Sequence, residues 1–283
     1  MAVICRVLGI SRACAYRTSA GRPRRYAKAT DRVVTAQVRT IIRTRSSYGA
    51  RRVHALVNQR FATGYNVKRI QRVMALQGWT LSSVIHRRTG RAHRGRIQRD
   101  VSNERWCSDG LEIACWNGEL VQVAFALDCH DREAIAYAAV PGDLVAADIQ
   151  QLMQDAVAAR FGPERRPPTP IQWLSDNGSI YTALATQLMA ERLHLVPITT
   201  PAASPQSNGM AEAFVHTLRR DYLAGADLAT AAQVLAQLPA WMADYNGVAP
   251  HSALGYQSPQ QYRHAQSLAG EISAPKVPHE LGY

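Results

Sequence analysis

The chain has 283 residues, of which 47% are hydrophobic, a size and composition typical of about two folded domains. No apolar run approaches the roughly 20 residues of a membrane-spanning helix, and the N-terminus lacks the basic start and small-residue cleavage site of a secretion signal. We therefore expect a cytoplasmic protein without a membrane partner. The five cysteines form no C-x-x-C pair, which excludes the common zinc-finger and thiol-redox patterns.

The charge is distributed unevenly along the chain. Residues 1–100 contain 23 Lys and Arg against two Asp, whereas residues 101–283 contain 10 Lys and Arg against 19 Asp and Glu. A strongly basic segment that is also rich in apolar residues indicates a folded cationic surface, and nucleic acid is the partner that such a surface favours. The alternative is a solvated basic face that has no partner.

Residues 1–81 predict a small all-α domain that is helix-turn-helix-like. Apolar residues recur at helical spacing in DRVVTAQVRTIIRT, ARRVHALVNQRF and NVKRIQRVMALQGW, with breaks at 46–49 and 62–64. Asn66 is placed to cap the third helix. Basic residues on the second and third helices are the expected DNA contacts of this domain. They are Arg51, Arg52, Lys68, Arg69 and Arg72.

Residues 82–103 are polar, basic and without periodicity, and we predict a flexible linker that contacts phosphates. From 104 to 265 the pattern becomes α/β. Three strands in a meander, with a hairpin at Asn117-Gly118, are followed by helix, strand, helix, strand and helix. This order is typical of a ribonuclease-H-like mixed sheet flanked by helices, and residues 266–283 are expected to form a C-terminal tail.

Three carboxylates occupy special places in this order. Asp109 lies on the first strand, Asp176 follows the fourth, and Glu212 opens the last predicted helix, with 35 residues, 177 to 211, between the latter two. Hard divalent ions such as magnesium prefer oxygen ligands, and two such ions can promote in-line displacement at a phosphodiester. The pattern therefore predicts a metal-dependent phosphodiester site.

Each carboxylate also has a structural interpretation. Asp109 could mark a strand kink before Gly110, and Glu212 could only complement its helix dipole. Asp176 could be a turn residue, in a turn where the following Asn-Gly pair supplies positive φ angles.

The motifs NERWCSDGLEI, WLSDNGSIY and SPQSNGMAEAFVHTLRRDY carry a family resemblance. The chain resembles the retroviral-integrase-like, Asp-Asp-Glu transposases of bacterial insertion sequences that are encoded by a downstream reading frame. This resemblance implies that Asp109, Asp176 and Glu212 are a catalytic triad that binds Mg²⁺, or Mn²⁺ in its place, with two ions when DNA is bound. It also implies that Arg219, with its neighbour Arg220, holds DNA near the site.

The resemblance further implies DNA strand cleavage followed by strand transfer. The expected partners are double-stranded DNA at the element ends and the target, further copies of the chain on DNA, and an upstream-frame protein or fusion. The alternatives are a hydrolytic ribonuclease-H-type nuclease and a catalytically inactive DNA-binding protein derived from a transposon. We also expect a mobile loop at 201–209 that keeps Glu212 away from the aspartates in DNA-free protein, a partly buried His216, and an ion pair between Asp128 and Arg132.

Overall fold

The computed structural model describes residues 2–7, 26–81, 99–199 and 209–273. The chain divides into two compact units, residues 1–82 and residues 83–283. Of the predicted linker, residues 82–98 lie outside the described residues, and so do residues 201–208 of the predicted mobile loop.

The first unit is helical. Its helices are α1 (Ala2–Val7), α2 (Arg32–Thr44), α3 (Ala50–Arg60) and α4 (Val67–Leu76). The predicted cap of α4 is present, because the Asn66 side chain accepts a hydrogen bond from the Lys68 amide at 2.8 Å. Helices α2 to α4 share one core, whose buried members are Val34, Val38, Ile41, Tyr48, Val53, Leu56, Val57, Ile70, Val73 and Met74.

The second unit is built on a five-stranded mixed sheet. Its strands are β1 (Arg105–Ala114), β2 (Leu120–Asp128), β3 (Ala134–Pro141), β4 (Ile171–Ser175) and β5 (Leu195–Thr199). The order is β3-β2-β1-β4-β5; β1, β2 and β3 are antiparallel, while β4 runs parallel to β1 and β5. Gly118 closes the predicted β1–β2 hairpin with a φ of 91°, a conformation that favours glycine.

Helices cover both faces of this sheet. They are α5 (Ala146–Phe161), α6 (Ser179–Thr182), α7 (Leu184–Arg192), α8 (Gly209–Asp221), α9 (Ala231–Gly247) and α10 (Pro259–Ser273). Helices α5 to α7 share a core with one face, and α8 and α9 share a core with the other. Helix α10 extends beyond residue 265, the predicted end of the core, into the predicted tail. None of the helices in the described ranges has both the length and the apolar character needed to span a bilayer.

The expected ion pair between Asp128 and Arg132 is wrong. Asp128 is fully buried, and its carboxylate accepts hydrogen bonds from the backbone amides of Asn103 and His130, both at 2.7 Å. Its cationic neighbour is Arg160 of α5, at 3.8 Å. Arg132 instead donates its backbone amide to the Asp128 carbonyl from a residue with a φ of 62°, so it shapes the turn through its main chain.

Candidate active site

The pairing of β1 with β4 places Asp109 beside Asp176. Cys107 pairs with Leu174 in this parallel ladder, and the two aspartates are each two residues further along. Side chains two residues apart lie on the same face of a sheet, and neighbouring strands are about 4.8 Å apart. The two carboxylates therefore leave the same face at the same level, with Asp176 one residue beyond the end of β4.

Glu212 is brought to this face by the packing of α8. It lies in the first turn of the helix, two residues before the buried Phe214. The Phe214 ring contacts Phe125 with a centroid distance of 4.4 Å, and Phe125 is the cross-strand partner of Asp109 on β2. Phe214 also packs edge-on against Tyr245 of α9 at 4.7 Å. These aromatic contacts fix α8 to the face that carries both aspartates.

The electrostatic environment of Asp109 includes the two other candidate carboxylates. Burial raises the pKa of Asp109, and the negative charges of Asp176 and Glu212 raise it further, while a hydrogen bond of 2.8 Å from the Gly110 amide opposes the rise. In the described ranges, however, no three His, Cys, Asp or Glu side chains are close enough to hold one metal ion together. Glu212 is thus near the aspartates without joining them.

A cleft of about 320 Å³ opens next to the aspartates, past the end of β4. Asp109 and Asp176 both line it. The other lining residues are Gly110, Leu111, Glu112, Gln122, Leu144, Gly178, Ile180 and Tyr181.

The turn after Asp176 does not use positive φ angles, so that expectation for Asn177-Gly178 is wrong. Gly178 has φ −59° and ψ 144°, which any residue can adopt, and Asn177 is not in the left-handed region either. The Gly178 amide donates to Asp176 Oδ1 at 3.0 Å, and a Cβ on Gly178 would stand 3.0 Å from the same oxygen. Glycine therefore leaves space beside the carboxylate that a larger residue would take.

Comparisons with known proteins identify the family. Models described as "Integrase core domain" match residues 99–205 and 195–259. The transposase InsD of insertion element IS2 from Escherichia coli is 41% identical over 258 residues, covering 88% of this chain and 84% of that protein. An uncharacterised protein of insertion element IS136 from Agrobacterium tumefaciens is 50% identical over 182 residues, covering 64% and 93% respectively. The chain belongs to the insertion-sequence transposases.

The chain is also similar to two solved structures. A simian T-cell lymphotropic virus intasome is 15% identical, with a TM-score of 0.48, covering 86% of this chain and 76% of that chain. The catalytic domain of the Mos1 transposase is 24% identical, with a TM-score of 0.40, covering 50% and 71%.

Family membership and strand order together confirm the predicted ribonuclease-H-like integrase core. The reaction of this transposase is DNA strand cleavage and strand transfer, and transposition is favoured over the nuclease and inactive-protein alternatives.

Two residues beside the candidate carboxylates escaped sequence reasoning. Tyr181 is 8% exposed, lines the cleft, and shares a hydrogen bond of 2.9 Å with the hydroxyl of Ser108, the residue before Asp109. Burial raises the pKa of Tyr181, so the phenol stays protonated. The only sequence signal for these two residues was their closeness to a candidate ligand: Tyr181 lies five residues after Asp176, and Ser108 directly precedes Asp109.

The predicted DNA contacts of the helical unit have different environments. Arg51 and Lys68 are exposed. Arg69 and Arg72 both bind the carboxylate of the buried Asp31, Arg69 at 2.8 Å. Burial raises the pKa of Asp31, but hydrogen bonds from these two arginines outweigh that effect and hold it below its ordinary value. Arg52 lies over the ring of Tyr48 at 3.5 Å.

On α8, Arg219 is exposed, and it lies on the same side of the helix as Glu212 because seven residues are about two turns. Arg220 is also exposed, but its guanidinium makes two hydrogen bonds of 2.7 Å to the carboxylate of Asp221. His216 is exposed, so the expected partly buried histidine is wrong.

Proposed function

We propose that Asp109, Asp176 and Glu212 are the metal-binding catalytic residues with which this transposase cuts and joins DNA. The observation that carries the proposal is the register of β1 and β4, which sets two carboxylates side by side at the mouth of a cleft. A third carboxylate lies close enough to raise the pKa of Asp109.

The donor set fits a hard divalent cation. All three groups offer carboxylate oxygens, the ligands that magnesium prefers and that manganese also accepts. Two like charges held side by side repel each other, and a cation between them removes that repulsion. When bound, magnesium supplies activation of the attacking oxygen and stabilisation of the leaving oxygen, and we propose two ions once DNA is present.

The residues of the chain position the reaction. Asp109 on β1 and Asp176 just past the end of β4 would hold the metal from the sheet, and Glu212 on α8 would complete the set when DNA occupies the cleft. The DNA phosphate would supply further oxygen ligands. We propose this order because no three possible metal ligands are grouped together among the described residues.

DNA contact is proposed for both units. In the second unit, Arg219 and Arg220 extend from α8 beside Glu212, where they would hold a phosphate near the site. In the helical unit, Arg51 and Lys68 are exposed and would contact the backbone directly. Arg52, Arg69 and Arg72 already make intramolecular contacts, but a guanidinium has five N–H donors and can bind phosphate with the remainder.

The partners follow from the reaction. Element ends and a target are the DNA substrates, and because two ends must be held together, we propose that further copies of the chain assemble on DNA. An upstream-frame protein or fusion completes the assembly, which would act on chromosomal DNA in the cytoplasm.

A binding assay and a cleavage assay run together test this function. Asp176→Asn keeps the size of the side chain and removes the charge. We expect it to bind end DNA in a gel shift as tightly as the wild type, while cleavage in magnesium falls below detection. Lys68→Ala, in contrast, should weaken binding and reduce the salt dependence by about one counterion. Cleavage by Asp176→Asn at the wild-type rate would refute the catalytic assignment.

A further inference from the structure

Tyr181 connects the two strands that carry the aspartates. Its phenol is hydrogen-bonded at 2.9 Å to Ser108, which precedes Asp109 on β1, while its backbone amide donates at 3.0 Å to the carbonyl of Gly178, two residues after Asp176. Ser108 is fully buried and Tyr181 nearly so. The side chain therefore joins β1 to the turn that follows β4, behind the cleft.

The ring of Tyr181 also supports the Asp176 turn from one side. A Cβ placed on Gly178 would lie 3.6 Å from the Tyr181 ring and 3.0 Å from the Asp176 carboxylate, so Gly178 fills a narrow gap between the two. The turn cannot move toward the ring without closing this gap.

A contact across this part of the sheet would oppose the repulsion between the two aspartates. Asp109 and Asp176 are like charges on neighbouring strands, and the β1–β4 ladder ends at Cys107 and Leu174, before either aspartate. Beyond the end of the ladder, Tyr181 and Ser108 share a side-chain hydrogen bond across this gap. Groups that orient metal ligands without touching the metal commonly change metal affinity or activity by 10- to 100-fold.

We propose that Tyr181 is a positioning residue that, through its hydrogen bond to Ser108, sets the separation of Asp109 and Asp176 for divalent metal binding. The inference rests on the proposed function of these two aspartates. It assigns to the buried hydroxyl pair a role in metal affinity in addition to any role in stability.

Two substitutions separate the two roles. Tyr181→Phe removes the hydroxyl and keeps the ring against Gly178. Ser108→Ala leaves a buried phenol without its partner, which costs stability. The double variant, Tyr181→Phe with Ser108→Ala, has neither hydroxyl and should recover most of that stability. Tyr222→Phe is the matched control, because it removes a phenol hydrogen bond of 2.8 Å to Asp244, away from the cleft.

The measurement is Mn²⁺ affinity of the full chain by electron paramagnetic resonance, with the unfolding temperature recorded for every variant and DNA cleavage as a second readout. We expect Tyr181→Phe and the double variant to raise the Mn²⁺ dissociation constant about tenfold. The double variant should unfold at a higher temperature than Ser108→Ala, and Tyr222→Phe should bind Mn²⁺ like the wild type.

Unchanged Mn²⁺ affinity in Tyr181→Phe would overturn the proposal. It would also be overturned if the double variant regained both the wild-type unfolding temperature and the wild-type Mn²⁺ affinity, because affinity would then only follow stability. Asp109→Asn distinguishes a failure of the positioning role from a failure of the proposed metal site. If it abolishes Mn²⁺ binding while Tyr181→Phe does nothing, only the positioning role fails. If Asp109→Asn also binds Mn²⁺ normally, the proposed metal site itself is wrong.

Discussion

Replacing Gly178 by alanine tests whether the space beside Asp176 matters for catalysis. The backbone of Gly178 suits alanine, with φ −59° and ψ 144°, so the change introduces no backbone strain. The new Cβ would lie 3.0 Å from Asp176 Oδ1, and the carboxylate must retreat by a few tenths of an ångström. Misplacing a catalytic group by 1 Å costs on the order of 100-fold in rate, so this retreat should slow cleavage about four- to tenfold.

Stability should respond differently from activity. Gly→Ala at a compatible backbone position stabilises a protein by about 0.4–1 kcal/mol, because the unfolded chain loses freedom, and relief of the local crowding consumes part of that gain. We expect a free energy of unfolding within about 1 kcal/mol of the wild type.

The assay is single-turnover cleavage of labelled end DNA in magnesium, beside urea unfolding of the same preparation. Gly225→Ala is the control, because it lies in the same unit and a Cβ there meets no atom within 4 Å. A Gly178→Ala enzyme that cleaves at the wild-type rate would show that the Asp176 carboxylate has more freedom than its crowded position indicates.

Three further predictions follow from the same contacts. Asp109→Asn should raise the unfolding temperature at pH 7, because the fold raises the pKa of Asp109 and so disfavours its charged form. The gain should shrink as the pH falls and disappear below the ordinary Asp pKa of about 3.9, and a pH-independent gain would contradict this. Phe214→Ala should lower the free energy of unfolding, measured in urea, by about 3–5 kcal/mol, because it removes a ring that contacts both Phe125 and Tyr245. A loss below about 1 kcal/mol would show that other contacts hold α8. Asp31→Asn should weaken the hydrogen-exchange protection of α4 by about 2 kcal/mol at pH 7, and the loss should become smaller as the pH falls through the lowered pKa of Asp31. Unchanged protection would mean that the bonds from Arg69 and Arg72 to Asp31 do not hold α4 in place.

The strands of the second unit and their succession along the chain could be predicted because periodicity and turn chemistry agreed there. Alternating Val121, Val123, Phe125 and Leu127 indicated a strand, and Asn117-Gly118 indicated the hairpin that follows β1. The same reasoning named no helix after residue 223, although α9 and α10 are present. Helix α9 contains Pro239 and an almost uniformly apolar sequence, so it lacks the polar face that marks an amphipathic helix.

The candidate carboxylates could be proposed from the sequence, but the residues around them could not. Asp176 was singled out at the end of a predicted strand and Asp109 on the first predicted strand. The register that sets them side by side depends on pairing between residues far apart in the chain. Gly178 was given the wrong reason, since a sequence shows that a glycine is present but not whether it supplies a φ angle or space. Tyr181 and Ser108 are 73 positions apart, and no local pattern joins them.

The most direct test of the account is a strand-transfer assay on labelled DNA that carries the sequences flanking this gene. Full-length protein and its Glu212→Gln variant are incubated in magnesium, in manganese and in EDTA, and repeated with the upstream frame fused. We predict nicked and then joined products that require either metal and disappear in EDTA and in Glu212→Gln. Joined products formed equally well by Glu212→Gln, or in EDTA, would contradict a metal site built from these three carboxylates.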